Sequence, residues 1–294
     1  MNLQALPEEA LKEILALTEA KKKLDIREKA ENKFMSFAHY VYDNFIEGKH
    51  HRVIAEKLEK VARGEIKRLI INMPPRHSKS EFASYLMPAW FLGRNPKLKI
   101  IQATHNTELA VRFGRKVRDL IADPQYKDIF PATSLKEDNK SAGKWQTDVG
   151  GEYFAAGVGA AVTGRGADLF VIDDPHSEQD ALSESAFDHA YEWYTSGPRQ
   201  RLQPGGSIII VMTRWGKKDL TGRLIAAQGS DIMADQWEVV EFPAILPSGN
   251  ALWPEFWDKD ALLGTKASLP AGKWAAQWQQ EPTNTEAAIV KREW

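Results

Sequence analysis

Residues 66–80 read Ile66-Lys67-Arg68-Leu69-Ile70-Ile71-Asn72-Met73-Pro74-Pro75-Arg76-His77-Ser78-Lys79-Ser80. The first eight form a short, Ile-rich apolar run that stops at two prolines, and this predicts a buried strand. A helical pattern starts near Glu81, so the residues between make a strand–turn–helix unit. Such a turn aims backbone N–H groups and a helix N-terminus at an anion, while a Lys adds positive charge and a Ser or Thr hydroxyl reaches a cation. Lys79 and Ser80 stand at those two positions, and Pro75, Arg76, His77 and Ser78 form the turn. Two glycines of the usual phosphate-loop pattern are replaced, by Met73 and Ser78. A Lys-Ser pair alone is better explained as a proline turn entering a helix; the strand before it and the helix after it favour a phosphate loop.

Outward from this unit, further buried strands are predicted at Lys99–Ala103, Leu169–Ile172, Ile208–Met212 and Trp237–Phe242. Helical patterns at Glu81–Leu92 and Thr107–Ala122 separate them. Strands alternating with helices predict an α/β fold, with a mainly parallel sheet flanked by helices and ligands at the carboxyl ends of its strands. Upstream, residues 7–30 carry Leu11, Ile14, Leu15 and Leu17 at amphipathic spacing, and a second helix is expected from Phe34 to Ala62. The tail from Leu246 is rich in Pro, Gly and Trp. The expected organisation is a helical arm over residues 1–33, a core over 34–245, and a lid or linker region over 246–294.

Leu169-Phe170-Val171-Ile172-Asp173-Asp174-Pro175 places two adjacent carboxylates at the end of a buried strand. Buried carboxylates are costly without a compensating cation, and a magnesium–nucleotide site supplies one. In that reading Asp173 holds Mg²⁺, through water, and Asp174 orients or deprotonates the attacking water, with Glu178 next in line as base. The bland alternative is an Asp-Pro turn. The strand Ile208–Met212 ends in Thr213-Arg214-Trp215, where the Thr213 hydroxyl is placed to sense a γ-phosphate. Arg165, in Thr163-Gly164-Arg165-Gly166, is either a solvated surface residue or a guanidinium offered to the phosphate of a neighbouring subunit.

Composition narrows the classes. Hydrophobic residues make up 43% and charged residues 27%, ordinary for a globular chain, and no apolar run is long enough to span a membrane. Without cysteines, disulfides, thiolate nucleophiles and cysteine-ligated zinc are excluded. With 39 basic and 40 acidic residues the net charge is −1, so any nucleic-acid contact must come from a local patch or from several subunits together. Arg112, Arg115, Lys116 and Arg118 form one such cluster, more simply read as a solvated helix face. His50, His51, His77, His105 and His176 lack metal-ligand spacing and read as surface or loop residues. The ten tryptophans read as packing residues rather than base-stacking platforms.

Taken in order, these motifs resemble the large terminase subunits of tailed bacteriophages. The resemblance is carried by the stretch Ile70–Ser80, by Pro88-Ala89-Trp90, Leu92-Gly93-Arg94 and Gly157-Val158-Gly159, and by Thr163–Asp168, Asp173-Asp174-Pro175 and Met212–Trp215. Leu252-Trp253-Pro254-Glu255 and Gln277–Pro282 extend it, so that it covers the chain from about Phe34 to Trp294. It implies a P-loop NTPase fold of the RecA-like, additional-strand, catalytic-glutamate class. It also implies ATP and Mg²⁺ as cofactors, with Lys79, Ser80, Asp173 and Thr213 in the phosphate-loop, metal and coupling positions, and Arg165 near the family's trans-acting arginine. The implied partners are double-stranded DNA, the portal of a procapsid, the small terminase subunit and further copies in a ring, usually of five, with no membrane. The implied location is the host cytoplasm, with transient docking on the portal. Asp174 stands where the family has glutamate. Full-length members continue into a nuclease domain, and its absence before Lys291-Arg292-Glu293-Trp294 predicts an isolated ATPase domain that does not cut DNA. The competing readings are a helicase-like translocase, which normally needs a second RecA-like domain, and a degenerate nucleotide-binding or scaffold module.

Overall fold

The computed structural model describes residues 7–283. Its strands are β1 (Arg68–Asn72), β2 (Lys99–Thr104), β3 (Leu135–Ser141), β4 (Lys144–Thr147), β5 (Glu152–Gly157), β6 (Ala167–Asp173), β7 (Leu202–Met212) and β8 (Glu238–Glu241). They form an eight-stranded sheet in the order β3-β4-β5-β2-β6-β7-β1-β8. Pairing from β5 through β2, β6, β7 and β1 to β8 is parallel; β4 alone is reversed, pairing antiparallel with both β5 and β3, so that β3 and β4 form an edge ribbon on β5. Every strand predicted from an apolar run is present. The ribbon was missed because Leu135-Lys136-Glu137-Asp138 offers no apolar run to read.

The buried strands divide their side chains strictly by the two-residue period. Leu69, Ile71, Leu169, Val171, Ile209 and Val211 face one core, and Ile70, Phe170, Ile172, Ile208 and Ile210 face the other. Fully burying each such side chain contributes about 1.5–3 kcal/mol, so a one-residue register slip is heavily penalised. Register therefore fixes the strand ends: Thr104 pairs with Asp173, Asp173 with Val211, and Asn72 with Met212.

Helices α1 (Glu8–Asn32), α2 (Phe34–Val41), α3 (Lys49–Ala62), α4 (Met87–Arg94), α5 (Thr107–Ala122) and α6 (Pro124–Ile129) lie in the first half of the chain; α7 (Glu184–Ser196), α8 (Leu220–Ser230) and α9 (Lys259–Ser268) follow. The single helix expected over Phe34–Ala62 is two, separated at residues 42–48, where Asn44 is left-handed (φ 57°) and Gly48 precedes α3. Asp43, Asn44 and Gly48 all disfavour helix, so the break has a local cause. The helix after the phosphate loop opens as a π-turn, Glu81–Leu86, and runs on into α4, where Pro88 stands in the first turn. α1 exists, but most of its expected stripe is solvated: Leu15, Leu17 and Leu24 are exposed, and docking comes at its carboxyl end, where Arg27 pairs with Asp128 at 3.1 Å and the Ala30 carbonyl accepts the Trp90 Nε1–H at 3.1 Å. After β8 a separate small core gathers Ala244, Ala251, Leu262, Trp274 and Trp278. Trp90, Trp145, Trp193 and Trp237 are likewise buried, as a packing role requires.

Candidate functional site: a phosphate loop facing two carboxylates

The turn between β1 and the π-turn puts Arg76 (φ 62°) and Ser78 (φ 70°) in the left-handed region, on either side of His77. Alternation of this kind converges successive N–H groups into an anion-binding concavity. Serine pays strain at a position that glycine adopts freely. The nest opens at the carboxyl ends of β1, β6 and β7, as expected for a parallel sheet.

Lys79 is buried, and its Nζ lies 2.9 Å from Asp174 Oδ2. Asp174 Oδ1 accepts the Thr213 N–H at 2.9 Å, and the Thr213 hydroxyl donates to the Met73 carbonyl at 3.3 Å. Asp174 is itself left-handed (φ 41°), its backbone held by Val211 O and by the His105 N–H. Strain of this kind persists only where surrounding bonds fix it, and it clusters at functional sites. Three strand ends therefore meet at one carboxylate. Asp173 is fully buried and accepts the Ser80 hydroxyl at 2.9 Å and the Ser84 hydroxyl at 2.7 Å. Burial, and next the Asp174 carboxylate, raise its pKa to about 7, against the pull of Lys79 and the two serines. Such a carboxylate lacks a full positive partner. The donors around it, two hydroxyls and a carboxylate, are all oxygen, which suits a hard divalent cation.

The structure thus brings Pro75, Arg76, His77, Ser78, Lys79, Ser80, Asp173, Asp174 and Thr213 together. It does not bring Arg165 to them. Arg165 precedes β6 and pairs with Glu152 at the start of β5, its guanidinium 3.9 Å from the Phe154 ring centroid. The length of β6 separates it from its own Asp173, roughly 20 Å at about 3.3 Å per residue. Glu178 lines a cavity with Trp215, Lys273 and Gln277.

Two features escaped sequence reading. His50, His51, His77 and His176 are not surface residues but buried. His77 donates from Nδ1 to the Pro75 carbonyl and stacks on Trp257, His51 stacks on Phe82, and Trp253 packs edge-on against His51. Burial drives the pKa of His50 and His77 down to about 4 and that of His51 to about 2, so all three are neutral. Their proximity comes from long-range packing of the phosphate loop, α3 and the chain after β8, which spacing does not reveal. The second is a cavity of about 210 Å³ beside the loop, where Arg76 and Ser78 meet Tyr42, Phe45, Trp253 and Phe256. The Leu252-Trp253-Pro254-Glu255 stretch was its only sequence signal. In the basic cluster on α5, Lys116 binds Glu81 and Arg118 binds Asp119, leaving Arg112 and Arg115 on an exposed face.

Behind Thr213, Arg214 is buried; its Nε–H is shared between the two carboxylate oxygens of Asp219 (3.0 and 3.2 Å) and its Nη1 reaches Glu241, while its backbone N–H donates to Gln280 Oε1 at 3.2 Å. Gln280 (φ 59°) follows the π-turn Trp274–Trp278, so the third strand end is tied to the small carboxyl-terminal core.

No family model matches the chain, and no curated protein matches it in sequence. Solved structures do match. A mutant of the large terminase ATPase domain of Thermus phage P74-26 superposes with TM-score 0.52 at 14% identity, covering 84% of this chain and 98% of that one. The HK97 bacteriophage large terminase matches with TM-score 0.52 at 11% identity over 80% of this chain and 50% of its own, so this chain spans about half the length of that protein. At these identities the likeness is one of fold: the chain has the mainly parallel α/β architecture of a terminase ATPase domain, the P-loop NTPase fold that the terminase resemblance implies.

Proposed function

We propose that the chain is an ATPase motor domain that couples ATP hydrolysis to translocation of double-stranded DNA, in the manner of a phage large terminase. The observation that carries the reading is the convergence of Lys79, Ser80, Asp173, Asp174 and Thr213 at one edge of a sheet with that fold. The nest of residues 75–80 receives the phosphates, and Lys79 leaves Asp174 for their β/γ oxygens. Asp174 is thereby released to orient the attacking water, with Thr213 holding its other oxygen. Ser80 and Asp173 would hold Mg²⁺, which when bound neutralises phosphate charge. The aromatic cavity of Tyr42, Phe45, Trp253 and Phe256 suits the nucleobase, because it is flat-walled and adjoins the loop.

Arg165 fits action in trans: it lies too far from its own phosphate site, and its loop is presented at the other end of the sheet. The rest of the motor follows from the same reading: a homo-oligomeric ring, a portal and small-subunit partner, action in the host cytoplasm, and a helical arm and carboxyl-terminal lid flanking the core.

Phosphate release measured with and without duplex DNA tests the proposal. A packaging-type motor hydrolyses ATP and responds to duplex DNA. Stimulation by single strands but not by duplex would favour a helicase-like translocase, and no turnover in any condition would leave a nucleotide-binding scaffold.

A further inference from the structure

The end of the sheet opposite the phosphate loop holds a cavity of about 370 Å³, bounded by the turn before β1, the end of α4, the start of β6 and the turn that opens β7. Its charged lining is Arg63, Lys67, Arg94 and Asp168. The carboxylate is already engaged, since Asp168 Oδ2 accepts the Lys99 N–H at 2.7 Å, and Arg63 is spent on Glu65 at 2.5 Å. The other two cations are not neutralised. Lys67 Nζ donates to the Gly205 carbonyl, and the Arg94 guanidinium lies 4.8 Å from the Trp90 ring centroid; among the described residues neither forms an ion pair. Stacking holds the planar fork of Arg94 in place, and a pre-organised guanidinium suits bidentate contact with a phosphodiester.

The rim is bare backbone where the cations meet. Gly64 (φ 75°) and Gly205 (φ 85°) are left-handed turns, so a bulky anion can approach without meeting a side chain. Lys97, exposed in the loop between α4 and β2, extends the same basic edge. In a chain of net charge −1, two unpaired cations on one open rim are a local concentration that the composition does not supply.

We propose that this rim binds the phosphate backbone of duplex DNA, with Lys67 and Arg94 as the phosphate contacts. The proposal rests on the DNA-translocation reading above and names a surface for it. A free oxoanion is a poorer fit: the cations come from two separate elements and flank an open groove, whereas a small anion is held by enclosing donors. A backbone that carries a phosphate at every step satisfies both cations at once.

Anisotropy of a labelled duplex, followed across a salt series, tests the site with Lys67→Gln/Arg94→Gln against wild type. Arg112→Gln/Arg115→Gln on the exposed face of α5 serves as the comparison. The proposal expects the first variant to bind at least about tenfold more weakly at low salt and to flatten the slope of log K against log salt by about 2, one increment of ~0.9 per lost phosphate contact. It also expects unchanged ATPase in the absence of DNA, and normal binding by the α5 variant. Duplex binding undiminished in the Lys67/Arg94 variant overturns the site while leaving the motor reading intact, and loss in the α5 variant instead moves the contact to that helix. A wild-type chain that hydrolyses ATP but binds no duplex at low salt overturns both. Saturable binding of inorganic phosphate, abolished by the same double substitution with duplex binding intact, would reassign the groove to a free anion.

Discussion

Lys79 Nζ and Asp174 Oδ2 lie 2.9 Å apart, so the cation of the loop after β1 and the carboxylate that follows β6 neutralise one another. The left-handed backbone of Asp174 (φ 41°) and the Thr213 N–H bring its carboxylate forward to meet the lysine. On the ATPase proposal, entry of a triphosphate would separate the two and free the carboxylate to position water.

Lys79→Ala removes the charge that faces the transferred phosphoryl group and leaves Asp174 without its partner. Turnover should fall by about 10²–10³-fold or more, measured as phosphate release at saturating ATP. Near-normal rates in this variant would sink the assignment of the loop.

Asp174→Asn keeps the shape but cannot accept a proton or orient water as a carboxylate does. Hydrolysis should be lost while ATP still binds, with affinity equal to or tighter than wild type because Lys79 is no longer held back. A fluorescent-nucleotide titration beside the phosphate assay separates the two effects. Normal hydrolysis would place the base elsewhere, with Glu178, on the cavity beside Trp215, the next residue to test.

For Arg165 the structure sharpens the experiment, because the residue lies beyond reach of its own active site. Arg165→Ala and Lys79→Ala proteins should each be inactive alone. Mixed, they should regain activity at interfaces that pair an intact loop with an intact arginine. A mixture that stays inactive at concentrations where wild type associates and works would return Arg165 to its role as Glu152's partner.

Ser78 sits at φ 70°, where an L-residue is strained and glycine is not. Ser78→Gly should raise stability by about 0.5–1 kcal/mol, the relief of strain outweighing the added freedom of the unfolded chain. The readout is a higher urea midpoint with unchanged m-value. A lower midpoint would show that the serine side chain, not the backbone, sets the energetics there.

The buried histidines predict an unusual acid sensitivity. Burial depresses their folded pKa below the ordinary value of 6.5, to about 4 for His50 and His77 and about 2 for His51. Their contribution is therefore fully present above pH 6.5 and is lost as pH falls from 6.5 towards about 4 for His50 and His77 and towards about 2 for His51, while the unfolded chain takes up protons that the folded one refuses. The melting temperature should drop between pH 6.5 and 5, above the range where most carboxylates titrate, and His50→Leu should flatten the decline. An unchanged slope would place the sensitivity elsewhere.

What the sequence by itself determined is the parallel core and the residues that gather at the carboxyl ends of its strands. Ile-rich runs such as Ile208–Met212 read as buried strands because burial on both faces demands continuous apolar residues. Lys79-Ser80 and Asp173-Asp174 stand out because polar groups at the ends of such strands are costly without a task. Local signals also showed where one strand stops and a helix begins. What only tertiary structure decided is which distant segments meet. The pairing of Lys79 with Asp174, the three histidines under Trp253 and Trp257, and the basic rim of Lys67 and Arg94 join residues far apart in the chain, and nothing in their spacing encodes the contact. The polar ribbon β3–β4 was illegible for the complementary reason. Its pairing is supplied by the edge of β5, not by any apolar pattern of its own, so its strand character exists only once the sheet beside it has formed.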